Sequence, residues 1–153
     1  EVKFKTRKDR TVKDRVRTSD LVTRMTDDAT AWLKGVCPLD GATLRPALWN
    51  SFKRITLVGK HSQERVTLDV DVEFFDGRRD VFLDGLVIAE VKRDGLSTQS
   101  PFLAQMRAMR VMERGFSKYA IGAAMLKDEV KKNALKPKLM MIERMMKDVN
   151  TNV

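Results

Sequence analysis

Apolar and polar side chains alternate from the first residue. Val2 and Phe4 fall on one side of an extended run and Glu1, Lys3 and Lys5 on the other. After the polar Lys8-Asp9-Arg10, the segment TVKDRVR repeats the pattern with Lys13, Arg15 and Arg17 on one face. Two such runs about a polar turn predict a β-hairpin. From Ser19 the period lengthens: Leu21, Met25, Ala29, Trp32 and Leu33 recur at helical spacing. Ser19 as N-cap and Gly35 as stop predict a helix over 19–34, inserted between strands.

CPLDGATLRPAL reads as a loop, because proline and glycine punctuate it. Alternation then returns in NSFKRITLVGK and SQERVTLDVDVEFFDG, which predict two antiparallel strands about a turn near Gly59–Ser62. In the second of these, Arg65, Thr67, Asp69, Asp71 and Glu73 are expected on one face, with Val66, Leu68, Val70, Val72 and Phe74 on the other. A further strand, LVIAEVK, is expected between Gly85 and Gly95, after the polar RRD segment. From Ser100 the period is helical, with Phe102, Met106 and Met109 as one stripe, followed by helices in AIGAAMLKDEV and LMMIERMMKDV, the last set off by Lys136-Pro137-Lys138. The methionine stripes read as helix packing.

The charge balance gives these polar faces a meaning. Lys and Arg number 30 against 21 Asp and Glu, a formal net charge of +9. Such an excess favours a polyanionic partner: nucleic acid, anionic membrane or phosphate-rich ligand. Arg and Lys recur on the polar faces of successive strands, including Phe52-Arg54-Thr56 on one face. An ordinary sheet with one solvated side would give the same alternation. If instead the polar faces meet around a lumen, like charges crowd together unless a polyanion or interleaved carboxylates compensate. Within an α+β fold, the second arrangement is an antiparallel β-barrel tunnel with a basic lumen, covered outside by helices, and it stands as a hypothesis beside the one-sided sheet.

Other chemistry is scarce. Cys37 and His61 are the only residues of their types, which leaves little for a disulfide framework, a cysteine zinc site or histidine catalysis. No run of ~18 apolar residues is present for a membrane-spanning helix. Glu90 lies in the otherwise apolar LVIAEVK, two residues before Lys92. There it is a solvated edge residue, an ion-pair partner, or a ligand for Mg2+ or Mn2+ shared with substrate phosphates. Arg107, Arg110 and Arg114 form a basic stripe expected to face solvent. Lys118 opens a helix, where it could point at an anion.

In order, EVKFK, TVKDRVR, FKRITL, RVTLD, VIAEVK, GFSKY and a Lys-Pro ahead of a helix resemble the vacuolar-transporter-chaperone (VTC) domain of the triphosphate-tunnel superfamily, over essentially the whole chain. The resemblance implies an ATP-dependent polymerase that adds the γ-phosphate of ATP to a polyphosphate chain in the tunnel, with Mn2+ or Mg2+ as cofactor. By the same resemblance Lys3 and Lys13 fall on lumen lysines, Arg54 and Arg65 on lumen arginines, Glu90 on the metal-binding glutamate and Lys118 on the lysine of a Ser-Lys-aromatic motif. Glu1, Lys5, Arg15 and Lys92 share these faces and are further candidates for binding substrate. Phe52 departs from the tyrosine often found there. The family's first strands would precede Glu1, so a single domain over 1–153 is expected as a fragment lacking its start.

ATP and polyphosphate are the expected partners, and nucleic acid is not, since aromatics for base stacking are sparse on the basic faces. The expected location is the cytoplasm or the cytoplasmic face of a membrane, reached through parts outside this chain. Other readings of the residues remain: a tunnel-fold triphosphatase or cyclase, a polyphosphate-binding subunit without turnover, and a nuclease in which Asp84 and Glu90-Val91-Lys92 hold one metal.

Overall fold

A computed structural model describes residues 1–7, 11–18, 23–61, 63–93 and 100–151. The chain forms two compact units, Glu1–Ala47 and Leu48–Val153.

In the first unit, β1 (Val2–Lys5) and β2 (Thr11–Asp14) pair antiparallel, with Lys3 opposite Lys13 and Phe4 opposite Val12. This is the predicted hairpin; its turn at 8–10 lies outside the described residues. Helix α1 (Asp27–Val36) starts later than expected. Ser19 and Leu21 lie outside the described residues, and Met25 precedes the helix. The start is set by Thr26, whose side chain accepts from the Ala29 N–H, with Asp27 and Asp28 in the first turn where the helix dipole favours them. Gly35 does not stop the helix; it runs to Val36, with Cys37 as cap and Pro38 beyond. The loop that follows includes a 3-10 turn at Gly41–Thr43 capped by Asp40.

The second unit is built around one long strand. β3 (Trp49–Val58) and β4 (Arg65–Phe75) form the predicted hairpin, closed at its tip by a Gly59 N–H donating to the Glu64 carbonyl at 2.8 Å. The other edge of β4 carries two short strands: β5 (Asp80–Leu83) along Val72–Phe75, and β6 (Ile88–Lys92) along Arg65–Asp69. All pairings are antiparallel. Among the described residues they make one sheet of two strands and one of four, and no ring of strands closes. β5 was not expected, because its four residues follow a polar turn and are too few to show a period.

The alternation of β4 does not run through. Ser51 pairs with Glu73 but Lys53 with Val70, so Asp71 and Val72 together oppose Phe52 in a β-bulge, with Asp71 at φ 52°. A bulge shifts the two-residue period by one, so side chains beyond it change face. Asp71 and Glu73 therefore join Lys53 and Ser51, to which they bond at 2.8 and 3.1 Å. Val72 and Phe74, expected opposite Asp69, instead share its face.

Three helices follow. α2 (Pro101–Ala108) begins at Ser100, whose hydroxyl accepts from the Leu103 N–H, and ends with Arg110 at φ 59° and a Val111 N–H bond to Met106. Met109 is exposed rather than part of a buried stripe; Leu103 is the buried residue of α2. Only Arg107 of the basic stripe lies within this helix. α3 (Lys118–Leu126), capped by Ser117, lays Gly122 against Phe74. α4 (Lys136–Thr151) takes up Lys136-Pro137 in its first turn and buries Ile142 completely. Together Val72, Phe74, Leu83, Leu86, Ile121, Leu126 and Ile142 form the core. Met125 and Met146 pack on it, while Met112 and Met140 are exposed, so only part of the methionine pattern is packing. The helices expected to cover the apolar outside of a barrel thus include one, α3, that packs on the same face as Asp69. On the opposite face Ile55, Leu57 and Phe82 are exposed.

Candidate functional site

Cross-strand register assembles the site on one face of the four-stranded sheet, since directly opposite residues share a face. Three rows cross it: Arg54, Asp69 and Ile88; then Thr56, Thr67 and Glu90; then Val58, Arg65 and Lys92. Rows lie two residues apart, roughly 7 Å along the strand.

The first row holds the strongest interactions. Asp69 is 1% exposed, yet its carboxyl meets two cations. Arg54 donates to it bidentately, Nε to Oδ1 at 2.6 Å and Nη2 to Oδ2 at 2.8 Å. Lys118, at the first turn of α3, donates to Oδ2 as well. The arginine bonds above all, then the lysine's, hold the Asp69 carboxyl below the usual aspartate range against the opposing effect of burial. The Arg54 guanidinium is correspondingly pushed above its ordinary value, by Asp69 chiefly and with Glu90 adding to it. Both cations stand on one aromatic ring: Arg54 Cζ is 5.0 Å and Lys118 Nζ 4.7 Å from the Phe52 centroid. Phe52 is anchored by packing against the core. Where a tyrosine hydroxyl was missed from the sequence, the ring itself touches two of the expected site residues.

Arg54, Lys118 and Glu90 are thus brought to neighbouring rows, and Arg65 and Lys92 face each other in the third. Glu90 is half-exposed and bonded to Lys92 at 3.1 Å. Its cross-strand partner Thr67 has a buried hydroxyl with no hydrogen-bond partner, a deficit of about 1–3 kcal/mol.

Lys3, Lys5, Lys13 and Arg15 belong to the first unit. There Glu1 accepts from Lys3 at 2.7 Å and from Arg15, and these bonds, led by that of Lys3, hold its carboxyl at about 2. The carboxylate offsets the repulsion expected of Lys3 facing Lys13.

Among the described residues no three of His, Cys, Asp and Glu converge on a point that would hold a metal. Asp84 follows β5 and Glu90 lies in β6, at places on β4 separated by about four residues and on the order of 10 Å. They do not form the shared site of a nuclease. A single carboxylate beside an unsatisfied hydroxyl, on a cationic face, does fit an oxygen-seeking divalent ion whose remaining ligands come from phosphates and water.

Asp69 is the site residue that the sequence did not single out. Its signal was present: it shares a face with Arg65 and Thr67, and interleaved carboxylates are one of the two ways to compensate a basic face. What could not be read was which cations it would engage, since Arg54 lies across a hairpin and Lys118 on a helix far along the chain.

A family model described as the VTC domain matches residues 1–127. The chain belongs to the VTC domain family. That family is the polyphosphate polymerase family of the tunnel-fold superfamily, which ties this chain to polyphosphate chemistry. The match includes every site residue named above and ends before α4, so the Lys136-Pro137 resemblance lies outside it. No curated protein and no solved structure matches the chain significantly. Among the described residues of this VTC domain, no helix is long and apolar enough to cross a membrane.

Proposed function

We propose that this VTC domain is an ATP-dependent polyphosphate polymerase that works on the Arg54–Glu90 face. The observation that carries the reading is the convergence of Arg54 and Lys118 on one buried carboxylate and one aromatic ring, a row away from Glu90. Geometry of this kind presents fixed cationic donors to phosphoryl oxygens in a partly shielded setting. In the reaction the terminal P–O bond of ATP breaks, ADP leaves, and the phosphoryl group joins an oxygen of the polymer's end phosphate. That oxygen is already ionised, so no general base is needed.

Arg54 and Arg65 would clamp phosphoryl oxygens in two-pronged fashion, and Lys118 and Lys92 would add point charges. Lys3, Lys5, Lys13 and Arg15 of the first unit would be further phosphate-binding groups. Mn2+ or Mg2+, held by Glu90, would neutralise charge on bridging phosphates, the usual assistance in phosphoryl transfer. The expected setting is the cytoplasm or the cytoplasmic face of a membrane.

The test is incubation of the full-length protein with ATP and Mn2+, assayed for long-chain polyphosphate, beside Glu90→Gln. Polymer formed by the wild type and lost in the variant supports the reading. Release of phosphate without polymer rewrites it as a triphosphatase, and tight polyphosphate binding without turnover as an accessory subunit.

A further inference from the structure

Asp69 is in the wrong place for a site built only to attract phosphate. A buried carboxylate at the centre of the cationic row repels any polyanion, and it could be absent if maximal affinity were required. Its geometry suggests what it does instead. Asp69 takes two N–H groups of Arg54 and one of Lys118, so that other N–H groups of both heads lie outside these bonds. The side chain of Arg54 is 41% exposed and that of Lys118 20%, whereas that of Asp69 is 2% exposed. The cations therefore look outward from a carboxylate that lies behind them, with the Phe52 ring limiting their swing.

We propose that Asp69 is a positioning residue with a second effect: it fixes the orientation of Arg54 and Lys118 while cancelling one of their two charges, so that the row binds a phosphate polymer weakly enough for it to move. This rests on the reading of the face as a phosphate site. A chain that must advance one unit after each addition is hindered by a groove that holds every unit tightly. Arg54 and Lys118 with Asp69 carry a net single positive charge; without it they would carry two, and would also repel each other. The groups facing Asp69 are Arg54 from β3 and Lys118 from α3, with Glu90 of β6 one row away.

The experiment is calorimetric titration of the protein with tripolyphosphate at several salt concentrations, comparing wild type, Asp69→Asn, Arg54→Ala and the double variant Asp69→Asn/Lys118→Met. Asp69→Asn keeps the shape and removes the charge. The expected result is binding roughly tenfold tighter at low salt, with a salt dependence steeper by about one charge. The double variant, which restores the charge balance and guards against a single variant that does not fold, is expected to return to the wild-type salt dependence. If Asp69→Asn binds no more tightly than wild type, or the double variant keeps the steeper salt dependence of Asp69→Asn, the proposal fails. If Arg54→Ala binds as well as wild type, the phosphate-site reading itself fails.

Discussion

Gly122 lies one helical turn beyond Lys118 on α3, and its missing side chain decides how near that helix comes to β4. A Cβ at this position would stand 2.6 Å from Phe74 Cδ1 and 2.8 Å from Cγ, and the Phe74 ring is fully buried. Alanine normally gains about 1 kcal/mol over glycine in a helix. Here overpacking, at roughly 1–3 kcal/mol, outweighs the gain. Gly122→Ala is expected to be destabilising in urea denaturation and to weaken phosphate binding by displacing Lys118; increased stability would show that the ring has room to yield. At this scale the sequence was half legible. Arg54, Arg65, Glu90 and Lys118 were singled out by the resemblance of their segments to the family, and the structure puts the first three on one sheet face with Lys118 bonded to it. Asp69 was not, because the same alternation makes it one of several carboxylates, and only the fold tells it apart from Asp71.

Among the elements, β4 shows where periodicity misleads. Its alternation is unbroken in the sequence, so nothing in the pattern marks the bulge that turns Asp71 and Glu73 away from the site and admits Val72 and Phe74 to the core. The marker is conformational: Asp71 adopts a left-handed backbone, which aspartate tolerates and a β-branched residue does not. Asp71→Val is expected to cost about 1–2 kcal/mol. Asp71→Gly is expected to be neutral or stabilising, since the ion pair it loses with Lys53 is exposed. Chemical denaturation of the two variants separates backbone strain from charge; equal losses would mean that the ion pair, not the backbone, matters. Hairpins were legible because two alternating runs and a turn suffice. The start of α1 was not, since Ser19 and Thr26 are both good caps on paper and each is followed by aspartate, one after Ser19 and two after Thr26.

For the molecule as a whole, the depressed carboxylates set the response to acid. Asp69 and Asp76 titrate below the ordinary 3.8 of an aspartate, Asp69 through Arg54 and then Lys118, Asp76 through the backbone N–H groups of Arg79 and Arg78. A carboxyl bound more weakly by protons when folded contributes stability that is complete above its unfolded value and is lost as pH falls through its folded one. Thermal stability is therefore expected to hold from pH 7 to about 5 and to fall below about 4, with Asp69→Asn flattening the decline; a rise on acidification would contradict these assignments. The overall α+β organisation and the basic character were legible from period and composition; the two units divide at the end of CPLDGATLRPAL, which the sequence marks as a loop by its prolines and glycine without showing that it separates two compact units. One packing feature reaches past the family match. Ile142 of α4 is completely buried with Phe74 and Leu126, yet the family match stops at 127. Every other member of that core lies within the matched residues, so removing the α4 side chain at 142 would open the centre of a core whose remaining members all belong to the family match.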